Sequence, residues 1–415
     1  MPTPLQRQGD FTEAIGGRVP LIYDPATTIQ TAAGFTRSPF PGNSLPADRI
    51  DPVALTLLQR YPSPTGPGTA SNYQRVDDEV VDQNQADLRL DHRLSSSGDL
   101  AFVRVSYFGE AFRPASPLPD GSGLTAGALG PQQTRVQSVA SGVQHVFSSR
   151  LLNELRLGDT RRTVSRAAVR VPGTVSDAIG LPGIPTNAMF ADTLPTFSIS
   201  GYQPLGSPTN TAADFGTSVT QVADTLTWVV GHHNIKAGAD LRWERLNVTQ
   251  PPSPTGAFTF SNLFTDLPEV ANTGSPFASF LLGQVQTFSI DLQQQQIRNR
   301  AHFQEYFAQD DWQLSNRVTV NAGLRYTLNF PSVEEHDQVG IFNLQTQRME
   351  YAGNDGLPRS ARQLHTNNFG PRLGIIGRLA DRTVLKTAYG LVWIAQPGIT
   401  TPFTTPVFPF LQSVS

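Results

Sequence analysis

Few side chains in this sequence stand at spacings that do chemistry. His232-His233 places two imidazoles side by side, and Asp77-Asp78-Glu79 and Asp310-Asp311 place carboxylates in short runs. A zinc site needs three or four ligands in fixed geometry, and the histidine pair has no evident third; it reads as a pair of solvated turn residues. Calcium loops space their oxygen ligands around a glycine in a pattern that neither acidic run has, so these read as polar rim residues. Gly121, Gly123 and Gly127 miss the phosphate-loop spacing and lack a strand-to-helix context. Asn247-Val248-Thr249 matches a glycosylation acceptor by pattern alone, and neither a G-x-S-x-G elbow nor an H-E-x-x-H pair occurs. With 0 cysteines, disulfides and thiolate metal sites are excluded. The sequence thus predicts no catalytic residue, no metal and no cofactor, and an enzyme is not expected.

The charges that do show a pattern alternate with apolar residues. Asp87, Arg89, Asp91 and Arg93 alternate with Ala86, Leu88, Leu90 and Leu94, His92 being the exception; Asp240, Arg242 and Glu244 alternate with Ala239, Leu241 and Trp243. Arg325 sits in the same way between Leu324 and Tyr326. Period 2 defines strands with one polar and one apolar face. On this basis strands are expected near 83–94, 100–108, 134–147, 151–163, 217–230, 235–247, 300–313, 318–328, 368–379 and 383–393. The 134–147 strand is the least regular, because Val136, Val139, Val143 and Val146 are not in one phase.

Most of these strands approach or exceed the 9–11 residues that a tilted strand needs to cross a bilayer, whereas soluble strands average about 5–6. The connections alternate without exception between tight turns and segments of 25 residues or more, at 109–133, 164–216, 248–299 and 329–367. In an antiparallel meander that puts every tight turn at one rim and every long loop at the other, the asymmetry of outer-membrane barrels. The fold expected is therefore all-β, a transmembrane antiparallel barrel with short periplasmic turns and long extracellular loops. Residues 1–81 are expected as a long loop segment holding one helix near 51–61, with Asp51 as N-cap and Pro52 at the first helical position. Residues 82–415 hold the strands, and Phe277–Leu282 a single helical turn closed by Gly283.

Composition agrees. A hydrophobic fraction of 38% with 35 Gly and 33 Pro does not fill a large dry core. Lys+Arg 31 against Asp+Glu 34 gives no basic excess for nucleic acid. There is no run of 18 apolar residues for a spanning helix, which barrel strands never need. Trp228 and Trp312 precede tight turns, whereas Trp243 and Trp393 lie near long-loop ends. At a tilt of about 45° the two sets lie roughly 20–25 Å apart, the spacing of two interfacial aromatic girdles. These four tryptophans, with Tyr107 and Tyr326, are expected to face lipid. Asp87, Arg89, Asp91, Arg93, Asp240, Arg242, Glu244 and Arg325 are expected to line a wet lumen and pair across strands.

Several stretches, in order, resemble a known family: Ile22-Tyr23-Asp24-Pro25, Phe40-Pro41-Gly42-Asn43 with Pro46-Ala47-Asp48-Arg49-Ile50, Phe277-Ala278-Ser279-Phe280-Leu281-Leu282-Gly283, Gln309-Asp310-Asp311-Trp312, Gly323-Leu324-Arg325-Tyr326 and Gly370-Pro371-Arg372-Leu373-Gly374. Together they resemble the Oar-like TonB-dependent receptors of the outer membrane. That resemblance implies a barrel of about 22 strands filled by an N-terminal plug, uptake of a solute driven through TonB, and recognition by the extracellular loops. Neither plug, TonB box nor export signal is recognisable from Met1 onward, so the chain is expected to be an internal barrel fragment. The partners implied are outer-membrane lipid and lipopolysaccharide, an unidentified solute, and the TonB complex through the missing N-terminal region. Two alternatives stay open: a passive porin or adhesin barrel, and a soluble β-sandwich binding module.

Overall fold

The computed structural model describes residues 1–32, 34–96, 98–124, 130–186, 189–354, 356–393 and 409–415; Gly127 lies outside them. The long strands are β1 Val80–Arg93, β2 Leu100–Arg113, β3 Gln132–Ser148, β4 Leu151–Arg166 and β5 Ala213–Val230. They continue as β6 His233–Thr249, β7 Ile297–Ser315, β8 Val318–Asn329, β9 Phe369–Ala380 and β10 Thr383–Gly390. Each pairs antiparallel with its neighbours in sequence, giving a meander whose edges are β1 and β10. Val333–Glu334 adds a short strand beside β7. The edges do not pair with one another among the described residues, so the sheet is open.

On the long-connection side several ladders run past the expected strand ends, as at 213–216 and 297–299. The backbone bonds that extend them are indifferent to side-chain polarity. The irregular phase of β3 resolves by register. Val139 and Val143 point to one face, Val136 to the other, and a bulge lies between Val146 and Ser148. Among the described residues no second layer covers the apolar face: Leu88 is 70% exposed, Leu324 47% and Tyr389 69%. A β-sandwich needs such a layer, so that alternative is set aside. No helix among the described residues is long and apolar enough to cross a membrane.

Tight connections at 94–99, 149–150, 231–232, 316–317 and 381–382 all fall at one rim, and long ones at 114–131, 167–212, 250–296 and 330–368 at the other. The long segments are not the irregular loops that their Pro and Gly content suggested. Together with residues 1–73, three of them share one hydrophobic core that includes Phe11, Ile22, Leu57, Leu118, Leu194, Leu205, Phe277 and Phe280. Thr196–Ile199 pairs parallel with Ala257–Phe260, tying two connections together. Helix Pro52–Leu58 starts at Asp51, whose carboxylate accepts from the amides of Val53 and Ala54, and buries Ala54, Leu57 and Leu58 in this core. Helix Pro276–Leu281 is capped by Ser275 and stops before Gly283, whose φ of +67° favours glycine. Gly206 is sterically required too, because a Cβ there would lie 2.1 Å from the Pro195 carbonyl oxygen. The fourth connection is pinned separately by the buried Glu334 carboxylate, which accepts from the amides of Arg298, His336 and Gln338.

One junction between the body built on this core, the cap, and the sheet is expected to be acid-sensitive. Asp77 accepts from the Ser116 amide and from Arg75 and Arg113, which hold its carboxyl well below the usual carboxylate range. Its folded pKa lies below the unfolded value of about 3.9, so the stabilisation is complete above that value and fades as pH falls toward the folded one. Protection of the Ser116 amide from hydrogen exchange is expected to drop on acidification below about pH 4, and Asp77→Asn to flatten that dependence. An unchanged profile in the variant would show that Asp77 is not the group responsible.

Candidate functional site

Because side chains alternate, the register assigns every strand residue to one of two faces. Asp87, Arg89, Asp91 and Arg93 on β1 share a face with Arg104 and Ser106 on β2, and through β3, β4 and β5 with Asp240, Arg242 and Glu244 on β6. The same face carries Phe303, Glu305 and Phe307 on β7 and Arg325 on β8. Trp228, Trp243, Trp312, Tyr107 and Tyr326 lie on the opposite face. Trp393 follows β10 and stands, by extension of the register, opposite Phe369 on that same face; its indole N–H donates to the Phe369 carbonyl.

The charged face neutralises itself by two routes. Across strands, Arg104 reaches Asp87 at 2.6 Å and Arg325 reaches Glu305 at 3.0 Å, while Gln221 donates to Asp240 at 2.8 Å. Along one strand, Arg89 pairs with Asp91 at 2.7 Å and Arg242 with Glu244 at 3.0 Å. The second route departs from the expectation of cross-strand pairs alone; residues i and i+2 share a face only about 7 Å apart, within reach of an arginine. Arginines also cover aromatic rings, Arg89 over Phe102 and Arg242 over Phe303, both at 4.5 Å. Glu244 is 7% exposed, and its Oε2 has no hydrogen-bond partner among the described residues. Such a wall can offer paired charges and aromatic planes to a hydrated solute.

His233 begins strand β6 and Asp310 lies within β7, so this pair departs from the expected solvated turn and polar rim because the two strands bring the imidazole and the carboxylate together. His233 Nδ1 lies 2.6 Å from Asp310, its ring stacked on Trp312, and Asp77 is held by Arg75 and Arg113. Among the described residues no three His, Cys, Asp or Glu side chains converge as a metal site would require. Glu305, Phe303 and Gln221 were not singled out in the sequence; only knowing which strand lies beside which reveals them as partners. In the cap, Tyr61 is buried and Tyr202 half-buried against Phe277. Tyr202 donates to Gln6, and burial pushes its phenol up to about 12.

The tryptophans follow a slope. Trp228 on β5 pairs with Ile235, which pairs with Asp310, and Trp312 lies two residues nearer the turns, two strands away. Trp393 lies in the row of Phe369, Tyr326, Tyr306 and Ala239, four residues nearer the turns than Trp243 and four strands away. Both pairs therefore descend one residue per strand. With about 3.3 Å per residue and 4.8 Å between strands, that stagger corresponds to a tilt of about 35°, as barrel closure requires. Corrected for the slope, the two lines stand nine residues apart along a strand, or about 24 Å along the barrel axis.

The family described as outer membrane beta barrel domain matches residues 1–415. The chain belongs to that family and is a protein of the Gram-negative outer membrane. Among solved structures it is similar to P. aeruginosa FpvA bound to a heterologous ferric pyoverdine, with 11% identity, 75% of this chain and 35% of that chain covered, and a TM-score of 0.40. It is also similar to the ferric-catecholate import receptor Fiu of E. coli K12 in its open form, with 10% identity, coverage of 76% and 47%, and a TM-score of 0.38. For the ferric yersiniabactin uptake receptor FyuA of Yersinia pestis the figures are 8%, 77% and 38%, and 0.37. The chain spans less than half the length of these structures. No curated protein matches it significantly.

Proposed function

We propose that the chain forms part of a TonB-dependent receptor that captures a solute at its extracellular side and admits it along the charged wall. In this reading the tryptophan-bearing face touches acyl chains and the Asp87–Arg325 face surrounds water. The two tryptophan lines, about 24 Å apart, match the roughly 25 Å apolar band of such barrels. The observation that carries the receptor reading over a passive pore is the single core shared by residues 1–73 and the connections 114–131, 167–212 and 250–296. A pore needs no packed body on its extracellular side, whereas a binding surface gains from being rigid before the solute arrives. The ordered sequence stretches resembling Oar-like receptors support the same reading.

The coupling is tested in cells carrying the complete gene, with the energy-coupling protein present or deleted. Solutes depleted from the medium are identified by mass spectrometry. A TonB-dependent receptor depletes its solute only in cells with the coupling protein. Equal depletion in both strains would establish passive diffusion and overturn the proposal.

A further inference from the structure

One carboxylate stands at a depth where the proposed apolar band offers it no donor. After correction for slope, Asp224 on β5 lies five residues below the upper tryptophan line and four above the lower, at the middle of the tryptophan-bearing face. An acidic side chain so deep in a membrane marks contact with another polar group, because acyl chains cannot hydrogen-bond it. Its one partner among the described residues is the side-chain amide of Asn153, 2.9 and 3.1 Å from its two oxygens. That amide is uncharged and leaves most of the carboxylate's acceptor sites open. Asp310, by contrast, lies only two residues above the lower line and is met by His233.

The surface beside Asp224 is recessed. At the same depth β4, β8 and β9 carry Leu157, Leu324 and Leu373, whereas β6 carries Ala237 and Ala239 and β7 carries Ala308. Small residues inside a membrane let a second backbone approach closely. Two residues from Ala308 along β7 stands Tyr306, 42% exposed, whose hydroxyl donates to Gln304 at 3.1 Å.

Resting on the assignment of this face to lipid, we propose that the recess receives a second copy of this chain, related by a twofold axis that runs along the membrane normal past Ala237 and Ala239. Such an axis keeps every residue at its own depth and exchanges the two sides of β6. Asp224, one strand to one side, then lies over the partner's Ala308, which is one strand to the other side at the same corrected level. The two carboxylates stand on opposite sides of the axis and do not face each other. The partner's Tyr306 lies about 7 Å along its strand from that point, a distance that a phenol side chain spans. Turning its hydroxyl from Gln304 to Asp224 exchanges a neutral acceptor for a charged one, which makes the stronger hydrogen bond. Each copy thus supplies the donor that the other lacks, and the surface is complementary to itself.

The sequence has 0 cysteines, so single-cysteine variants of the full chain report one position each. Ala239→Cys places a thiol beside the axis; Val103→Cys places one at comparable depth on β2, away from it. Both are reconstituted in phospholipid vesicles and treated with a short thiol-to-thiol cross-linker. Ala239→Cys is expected to yield roughly tenfold more cross-linked dimer, the weight of one or two polar contacts within a membrane. Adding Asp224→Leu, or the milder Tyr306→Phe, should reduce that yield to the level of Val103→Cys. Quenching of tryptophan fluorescence by brominated acyl chains, recorded in parallel, should persist in every variant. Equal cross-linking at the two positions with quenching intact would overturn the dimer and leave the lipid-facing assignment standing. Cross-linking through Ala239→Cys that survives both added substitutions would overturn it as well, because the contact would not depend on the carboxylate. Absence of quenching in the unsubstituted chain would overturn both the dimer and the assignment.

Discussion

Leu157→Arg is expected to destabilise the protein in a bilayer by about 2–4 kcal/mol, the cost of arginine at the midplane of a barrel's lipid face. Leu157 lies on the tryptophan-bearing face in the row of Val222 and Leu241, four residues below the upper tryptophan line and five above the lower after correction for slope. It is 45% exposed in the isolated chain. On a water-facing surface, replacing so exposed a leucine changes stability by no more than about 0.5 kcal/mol, so the magnitude separates the two environments. Thr160→Arg is the control, three residues along the same strand and on the charged face; it should be tolerated. Urea titration of the full chain in phospholipid vesicles, followed by tryptophan fluorescence, measures both. Similar small effects for the two variants would place water on both faces and remove the basis for the membrane reading.

Phe277→Ala is expected to cost the cap about 3–5 kcal/mol, the usual loss for a fully buried phenylalanine. Its ring is 0% exposed and lies against Tyr61 at 6.5 Å, Tyr202 at 4.9 Å and Phe280 at 5.5 Å. It therefore joins residues from the N-terminal segment, from 167–212 and from its own connection. Limited proteolysis is the readout, because cleavage within the long connections follows the population of the opened cap. A loss of that size raises the population by more than a hundredfold, whereas the long strands should stay protected. Leu55→Ala, at a position 44% exposed on helix Pro52–Leu58, should leave the pattern unchanged. If Phe277→Ala left proteolysis as it was, the long connections would not form one cooperative body, and the argument for a rigid recognition surface would fail. If it loosened the cap, uptake of the solute should fall with it.

Two polar groups on the tryptophan-bearing face show how the apolar band tolerates exceptions. Asp224 is held by Asn153 at 2.9 Å, and Asp310 by His233 at 2.6 Å. Each carboxylate has a partner on an adjacent strand, which on the proposed lipid-facing side offsets part of the cost of leaving water.

What the sequence determined by itself was the set of strands and their two faces. Alternation in Ile235–Trp243 and Val318–Leu328 is a local property, fixed by the two-residue repeat of extended backbone, so it can be read without knowing any neighbour. The alternation of short and long connections likewise determined which rim carries the turns. Only the tertiary structure decided the rest, because it depends on residues far apart in the chain. Phe11, Leu118, Leu205 and Phe277 meet in one core although they sit in Pro- and Gly-rich segments without periodicity. The one-residue slope of the tryptophans and the partners of Arg242 and Arg325 both arise from strand register. Register is set by backbone pairing between strands, and no single strand's sequence contains it.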